Sequence, residues 1–214
     1  MKSYRLIFSK RYKSIFIMES MPARIEFDYD RAIDRATQLF WKKGYSRTSL
    51  RELLRTMGIG EGSFYNTFRS KKHLFRECLK HYDDTVSQRR LAALLGPATA
   101  KEGIRVFFTA LLDELDDPNT PALCLLVGSV SADVLSDREL SRQVRRDMEA
   151  FLGAFVRRLR SAKEKGELPA DFDVEVTAQL ILTYLQGIFR VIRVLQNRAQ
   201  IEQQIESLLS GLGL

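Results

Sequence analysis

Between residues 49 and 68 the chain reads SLRELLRTMGIGEGSFYNTF. The types that could do chemistry cluster at its second half. Gly60, Glu61, Gly62, Ser63, Asn66 and Thr67 alternate with apolar Phe64 and Phe68, while Arg47, Arg51, Arg55, Arg69, Lys71 and Lys72 flank them. This combination suits recognition of a polyanion rather than bond-making. Small residues let a helix N-terminus come close to base edges, its free N–H groups and dipole favour phosphate, and the flanking cations supply sequence-independent contacts. A corner built only for packing is the competing reading, and it leaves the clustering of cations unexplained.

Other constellations are weaker. His73 and His81 are too far apart for a helical metal pair, which uses closer spacing and further ligands. No nucleophile–base set and no phosphate loop is visible, so neither catalysis, nor a cofactor, nor a metal is expected. A small-molecule site is read from two groups that mix aromatic surface with a few polar tips. Phe107, Phe108, Leu112 and Cys124 form the first; Leu125, Tyr184, Gln186 and Phe189 form the second. Such linings suit an apolar ligand, with Tyr184 as the preferred polar contact, although each residue taken alone is also ordinary core.

The elements that must position these residues are helical. With 214 residues, 45% of them apolar, the chain can bury a sizeable core. Ala32, Ile33, Ala36, Leu39 and Phe40 mark a first helix after Asp28, stopped at Gly44. Ser49 and Glu52 form a capping-box pair for a second, which Gly58 ends. A third runs from near Gly60 to Phe68, and Ser70 caps a fourth reaching Leu95. Further helices are expected over 101–116, 138–165, 174–196 and 201–209, with a largely apolar segment over 123–135 read as core helix. No alternating strand pattern appears, so the fold class is all-α.

The formal charge is +7 and is unevenly placed. Residues 28–75 hold ten Lys or Arg against five acids, and Lys2, Arg5, Lys10, Arg11 and Lys13 make the first twenty residues basic. A basic N-terminal half joined to a near-neutral remainder fits a nucleic-acid module attached to something else. The opening segment is a poor secretory signal and reads as a flexible basic leader. No apolar run is long enough for a membrane span. Two distant cysteines, Cys78 and Cys124, suit a reducing cytoplasm, with a disulfide left open.

Residues 39–75, LFWKKGYSRTSLRELLRTMGIGEGSFYNTFRSKKHLF, resemble the DNA-binding domain of the tetracycline-repressor (TetR) family. The shared features are the aromatic–Gly–Tyr after the first helix, Thr-Ser at the second, Gly-Ile at the turn, Phe-Tyr-x-x-Phe in the third and Lys-x-x-Leu-Phe in the fourth. With the leader taken as 1–24, the resemblance implies a three-helix helix-turn-helix domain over 25–85 and a helical ligand-binding and dimerisation domain over 86–214. It further implies a repressor that binds a palindromic DNA operator as a homodimer and responds to a small-molecule effector. Carried over by position, Thr48, Tyr65 and Lys72 would contact the DNA backbone, and Gly60, Glu61, Gly62, Ser63 and Asn66 would lie near bases. Ser49 and Arg51 complete the expected DNA-facing set. Glycine at 60 and an acid at 61 depart from many relatives. These departures bear on the operator sequence, and Glu61 favours, as the alternative, a helical small-molecule-binding or interaction dimer that has lost DNA binding. The dimer is expected through residues 174–209, because the helix over 174–196 is apolar on more than one face.

Overall fold

The computed structural model describes residues 27–214 except 119, 122, 123 and 196. The basic leader expected over 1–24 lies outside the described residues. In chain order the helices are α1 (Tyr29–Lys43), α2 (Leu50–Met57), α3 (Glu61–Phe68) and α4 (Lys71–Tyr82), a π-helical turn (Asp83–Ser87), α5 (Gln88–Leu95), α6 (Ala100–Asp116), α7 (Leu125–Gly128), α8 (Ala132–Ser136), α9 (Arg138–Glu164), α10 (Val174–Leu195) and α11 (Arg198–Gly211). No strand occurs among the described residues.

The first four helices form through their caps and one shared core. Asp28 accepts from the Arg31 N–H at 3.0 Å and starts α1. Ser49 and Glu52 make the reciprocal capping box of α2, and Gly58, left-handed at φ 73°, ends it. Ala36 and Phe40 of α1, Leu53 of α2, Phe64 and Phe68 of α3, and Leu74 of α4 are almost wholly buried. Isolated eight-residue helices are marginal in water, so α2 and α3 depend on this packing. Burying each phenylalanine contributes about 1.5–3 kcal/mol.

The rest of the chain wraps around α6. Its Ile104, Phe108, Leu111 and Leu112 are fully buried, and α5 and α11 pack against it while α9 pairs with α10. Gly103 permits the close α5–α6 contact, because a Cβ there would lie 2.3 Å from the Leu94 carbonyl oxygen. Buried Arg158 reaches the same junction and donates to the Pro97 carbonyl at 2.9 Å.

Three expectations are corrected. The helix from Ser70 to Leu95 contains a π turn, across which it remains continuous. Of the apolar segment over 123–135, the described residues form two short helices, with Cys124 at the cap of α7 rather than inside a helix. The last helix, Arg198–Gly211, is longer than 201–209, and its Ile201, Ile205 and Leu209 are buried.

Candidate nucleic-acid interface

The α2–α3 corner presents its polar residues outward. Arg51, Arg55, Gly60, Glu61, Gly62, Tyr65, Asn66 and Arg69 are exposed and Ser63 is half-buried. Arg51, Arg55 and Arg69 make no ion pair among the described residues, so they are free to meet phosphate. Gly60 caps α3 with no side-chain hydrogen bond, which leaves the first N–H groups of that helix open. After α3 the chain reverses in a tight turn. Arg69 sits at φ 62°, ψ −39°, and the Ser70 N–H donates back to the Phe68 carbonyl at 2.6 Å. This is a γ-turn, a costly conformation for a non-glycine residue, and it brings the start of α4 beside α3.

Gly60 and Gly62 decide how the corner is read. Neither has a positive φ, and a Cβ added at either would meet no atom within 4 Å. Neither the backbone nor internal packing requires glycine at these two places. Gly62 lies inside α3, where glycine costs up to about 1 kcal/mol relative to alanine, while Gly60 stands at the N-cap, where glycine is tolerated. The space beside both positions is open, so a partner could approach the start of α3 closely there.

Two expected DNA contacts are placed differently. Thr48 is completely buried and its hydroxyl donates to the Gly44 carbonyl at 2.7 Å, so it braces the corner instead of reaching phosphate. Lys72 turns away from the corner. Its Nζ lies 3.2 Å from Asp137 and 3.2 Å from Glu139, and Arg76 also pairs with Glu139. Those hydrogen bonds to Glu139 and Asp137 raise the Lys72 pKa. The neighbouring Lys71 makes no ion pair among the described residues: its Nζ stands 4.4 Å above the Tyr45 ring, and burial lowers its pKa. Ser49 uses its hydroxyl on Glu52, whose carboxyl falls to about 2 through bonds from Lys43 and Ser49.

The eight residues expected at a ligand site divide. Phe107, Cys124, Gln186 and Phe189 do line one small cavity of about 10 Å³, room for a single water. Phe108 and Leu112 are plain core, and Leu125 lines a separate cleft of about 300 Å³ beside Trp41 and Tyr45. Tyr184 points elsewhere, with its hydroxyl 3.4 Å from the Gln204 amide oxygen. Sequence reasoning missed Arg90, Ser87, Met148 and Phe151 in the small cavity. Both cysteines are free and buried, and burial pushes the Cys78 thiol up to about 12. Among the described residues no cluster could hold a metal ion.

Comparison with known proteins agrees with this geometry. Residues 32–78 match the family described as bacterial regulatory proteins, tetR family, and residues 100–208 match the tetracyclin repressor-like C-terminal domain. The chain belongs to the TetR family. It is 29% identical to the uncharacterized HTH-type transcriptional regulator YezE of Bacillus subtilis (strain 168), over 87% of this chain and 97% of that one. It is 28% identical to the HTH-type transcriptional repressor ComR of Escherichia coli (strain K12), over 75% and 77%. Among solved structures it resembles a cysteine mutant of the TetR family regulator CifR complexed with a 26bp double-strand operator DNA. The TM-score there is 0.80 and the identity 29%, covering 86% of this chain and 96% of that one. No helix among the described residues is long and apolar enough to cross a membrane.

Proposed function

We infer that this TetR-family chain is a DNA-binding transcriptional regulator, a repressor in its free state, that docks α3 on double-stranded operator DNA as a homodimer. The observation that carries the reading is the pair of glycines at 60 and 62, which nothing inside the chain requires. Exposed Arg51, Arg55, Tyr65 and Arg69 supply phosphate contacts, while Ser63, Asn66 and Glu61 face the bases. Lys71 takes the backbone role expected for Lys72. Glu61 can accept from cytosine N4, which makes it a reader of sequence and not merely a repulsive charge.

The dimer forms along α10. Val176, Leu180, Val191 and Val194 are exposed by 50, 46, 39 and 80% and recur at helical spacing. Thr183 and Gly187 fall on the same line. An apolar stripe of this kind is stable only when covered, and a two-fold axis covers it with its own copy. The effector acts from the regulatory half over 86–214, and the protein works in the cytoplasm.

Selection of bound duplexes from a random pool, followed by binding at several salt concentrations, tests the reading. A palindromic motif with strongly salt-dependent affinity is expected. Failure to enrich any sequence over random duplex at any salt concentration overturns it.

A further inference from the structure

The small cavity beneath the π turn holds an unusual set of polar groups. Arg90 is only 4% exposed yet sits among Phe107, Phe151 and Phe189, with its guanidinium carbon 5.8 Å from the Phe189 ring centre. It donates to Glu114 Oε2 from Nε at 2.9 Å and from Nη2 at 2.6 Å, and to the Tyr82 hydroxyl at 2.9 Å. Burial works against its charge, but Tyr82, Cys124 and Glu114 outweigh burial and keep the pKa above the ordinary value. A buried cation is costly unless paired, so the pair must persist or be exchanged for an equivalent one.

The surroundings favour exchange. Glu114 is not Arg90's alone: its Oε1 lies 3.3 Å from exposed Arg89, so a carboxylate that replaced it at Arg90 would leave it with a counter-ion. Gln186 lines the same cavity, and the acceptor of its amide nitrogen among the described residues is the Met148 sulfur at 3.7 Å. A thioether is a weak acceptor for an amide donor. Two strong donors therefore converge where the chain offers one shared carboxylate, the Tyr82 hydroxyl and one sulfur. Apart from Ser87 the remaining walls are apolar, and Met148 and Phe151, both only partly buried, are the side chains that can move to admit a guest.

We propose that this cavity binds an amphipathic monocarboxylate, its head on Arg90 and Gln186 in place of Glu114, its apolar body among Phe107, Phe151 and Phe189. The site rests on the reading of the chain as an effector-responsive regulator and names the effector's chemical class. The guest opens the cavity by displacing Met148. Tyr82 and Arg90 stand on opposite sides of the π turn, so any shift of Arg90 toward a guest pulls on the end of α4.

Calorimetry on the full chain tests this with matched pairs: hexanoate and hexanol, decanoate and decanol, 4-phenylbutanoate and 4-phenylbutanol. At least one acid is expected to bind about tenfold or more tightly than its alcohol. Glu114→Gln removes the internal competitor and should tighten that acid severalfold. Arg90→Met should erase the preference for acid while retaining the alcohol. Equal binding of acids and alcohols, no binding of any acid, or weaker acid binding in Glu114→Gln overturns the proposal, the last without depending on whether Arg90→Met folds. Binding of the selected duplex is measured in parallel. Loss of the acid preference with duplex binding intact removes the effector class alone, whereas absence of duplex binding removes the regulator reading.

Discussion

Replacing Gly62 with alanine should move stability and DNA affinity in opposite directions. Gly62 is the second residue of α3, exposed, with open space where a Cβ would stand. Alanine relieves the glycine penalty, a gain of about 0.5–1 kcal/mol per chain, which for a chain of this size raises the melting midpoint by roughly 1–4 °C. The same methyl group occupies the space through which the helix start approaches DNA. Two copies act in a dimer, and even about 0.7 kcal/mol at each amounts to a tenfold loss of operator affinity. No charge is removed, so the slope of log affinity against log salt should stay constant. Thermal melting followed by circular dichroism, with fluorescence anisotropy on selected and scrambled duplexes, reads both effects. A variant that is more stable and binds the operator with wild-type affinity would refute the argument from the two glycines.

Lys71→Ala should flatten the salt slope by about 1.8 per dimer, roughly 0.9 for each phosphate that is no longer neutralised, whereas Lys72→Ala should leave it unchanged because Lys72 pairs with Asp137 and Glu139. Glu52 titrates at about 2 instead of 4.5. Its ionised form therefore stabilises the fold fully above the unfolded value, and that contribution fades as pH falls toward 2. Melting midpoints of wild type and Glu52→Gln should accordingly differ at neutral pH and converge in acid. Gly103→Ala drives a methyl into the Leu94 carbonyl and should cost about 1–3 kcal/mol in denaturant unfolding. Gly153→Ala meets only the movable end of Arg157 and should be neutral or stabilising. Leu180→Glu places a charge in the exposed stripe of α10 and should give a monomeric mass by light scattering, with operator affinity falling in parallel.

Much of the DNA-binding half was legible because its signals are local. Ser49 with Glu52, Gly58 and Ser70 each act within one helical turn, and the structure uses them as caps. Phe64 and Phe68 announced the inward face of α3 by spacing alone. The regulatory half was less legible because its signals come from residues distant in sequence. Arg89 and Arg90 are indistinguishable as text, yet one is exposed and the other is held by Glu114 across the α5–α6 packing. Tyr184 lies on the same apolar helix as Phe189, but only the fold reveals that its hydroxyl faces Gln204. The Lys-x-x-Leu-Phe spacing itself points to Lys71, three residues before Leu74, whereas only the fold reveals that Lys72 is held by Asp137 and Glu139 at the start of α9. Periodicity also tolerates one extra residue in a long helix, which is why the π turn went unseen.

The π turn between α4 and α5 has a bearing on how this chain could be recombined with its kin. An α-helix advances about 100° per residue, so one residue accommodated in a wider turn offsets the angular phase of everything beyond it. Asp83–Ser87 is thus the place where the orientation of the DNA-reading head is set against the body that carries Arg90. A hybrid regulator that takes its head from a relative with an unbroken helix here would inherit a swivelled head, with the Lys72–Asp137 latch out of reach. Junctions placed ahead of residue 83 and keeping Lys72 and Arg76 preserve both the phase and the latch. Exchange of heads within the family therefore depends on matching this helical phase as much as on matching the residues at the α2–α3 corner.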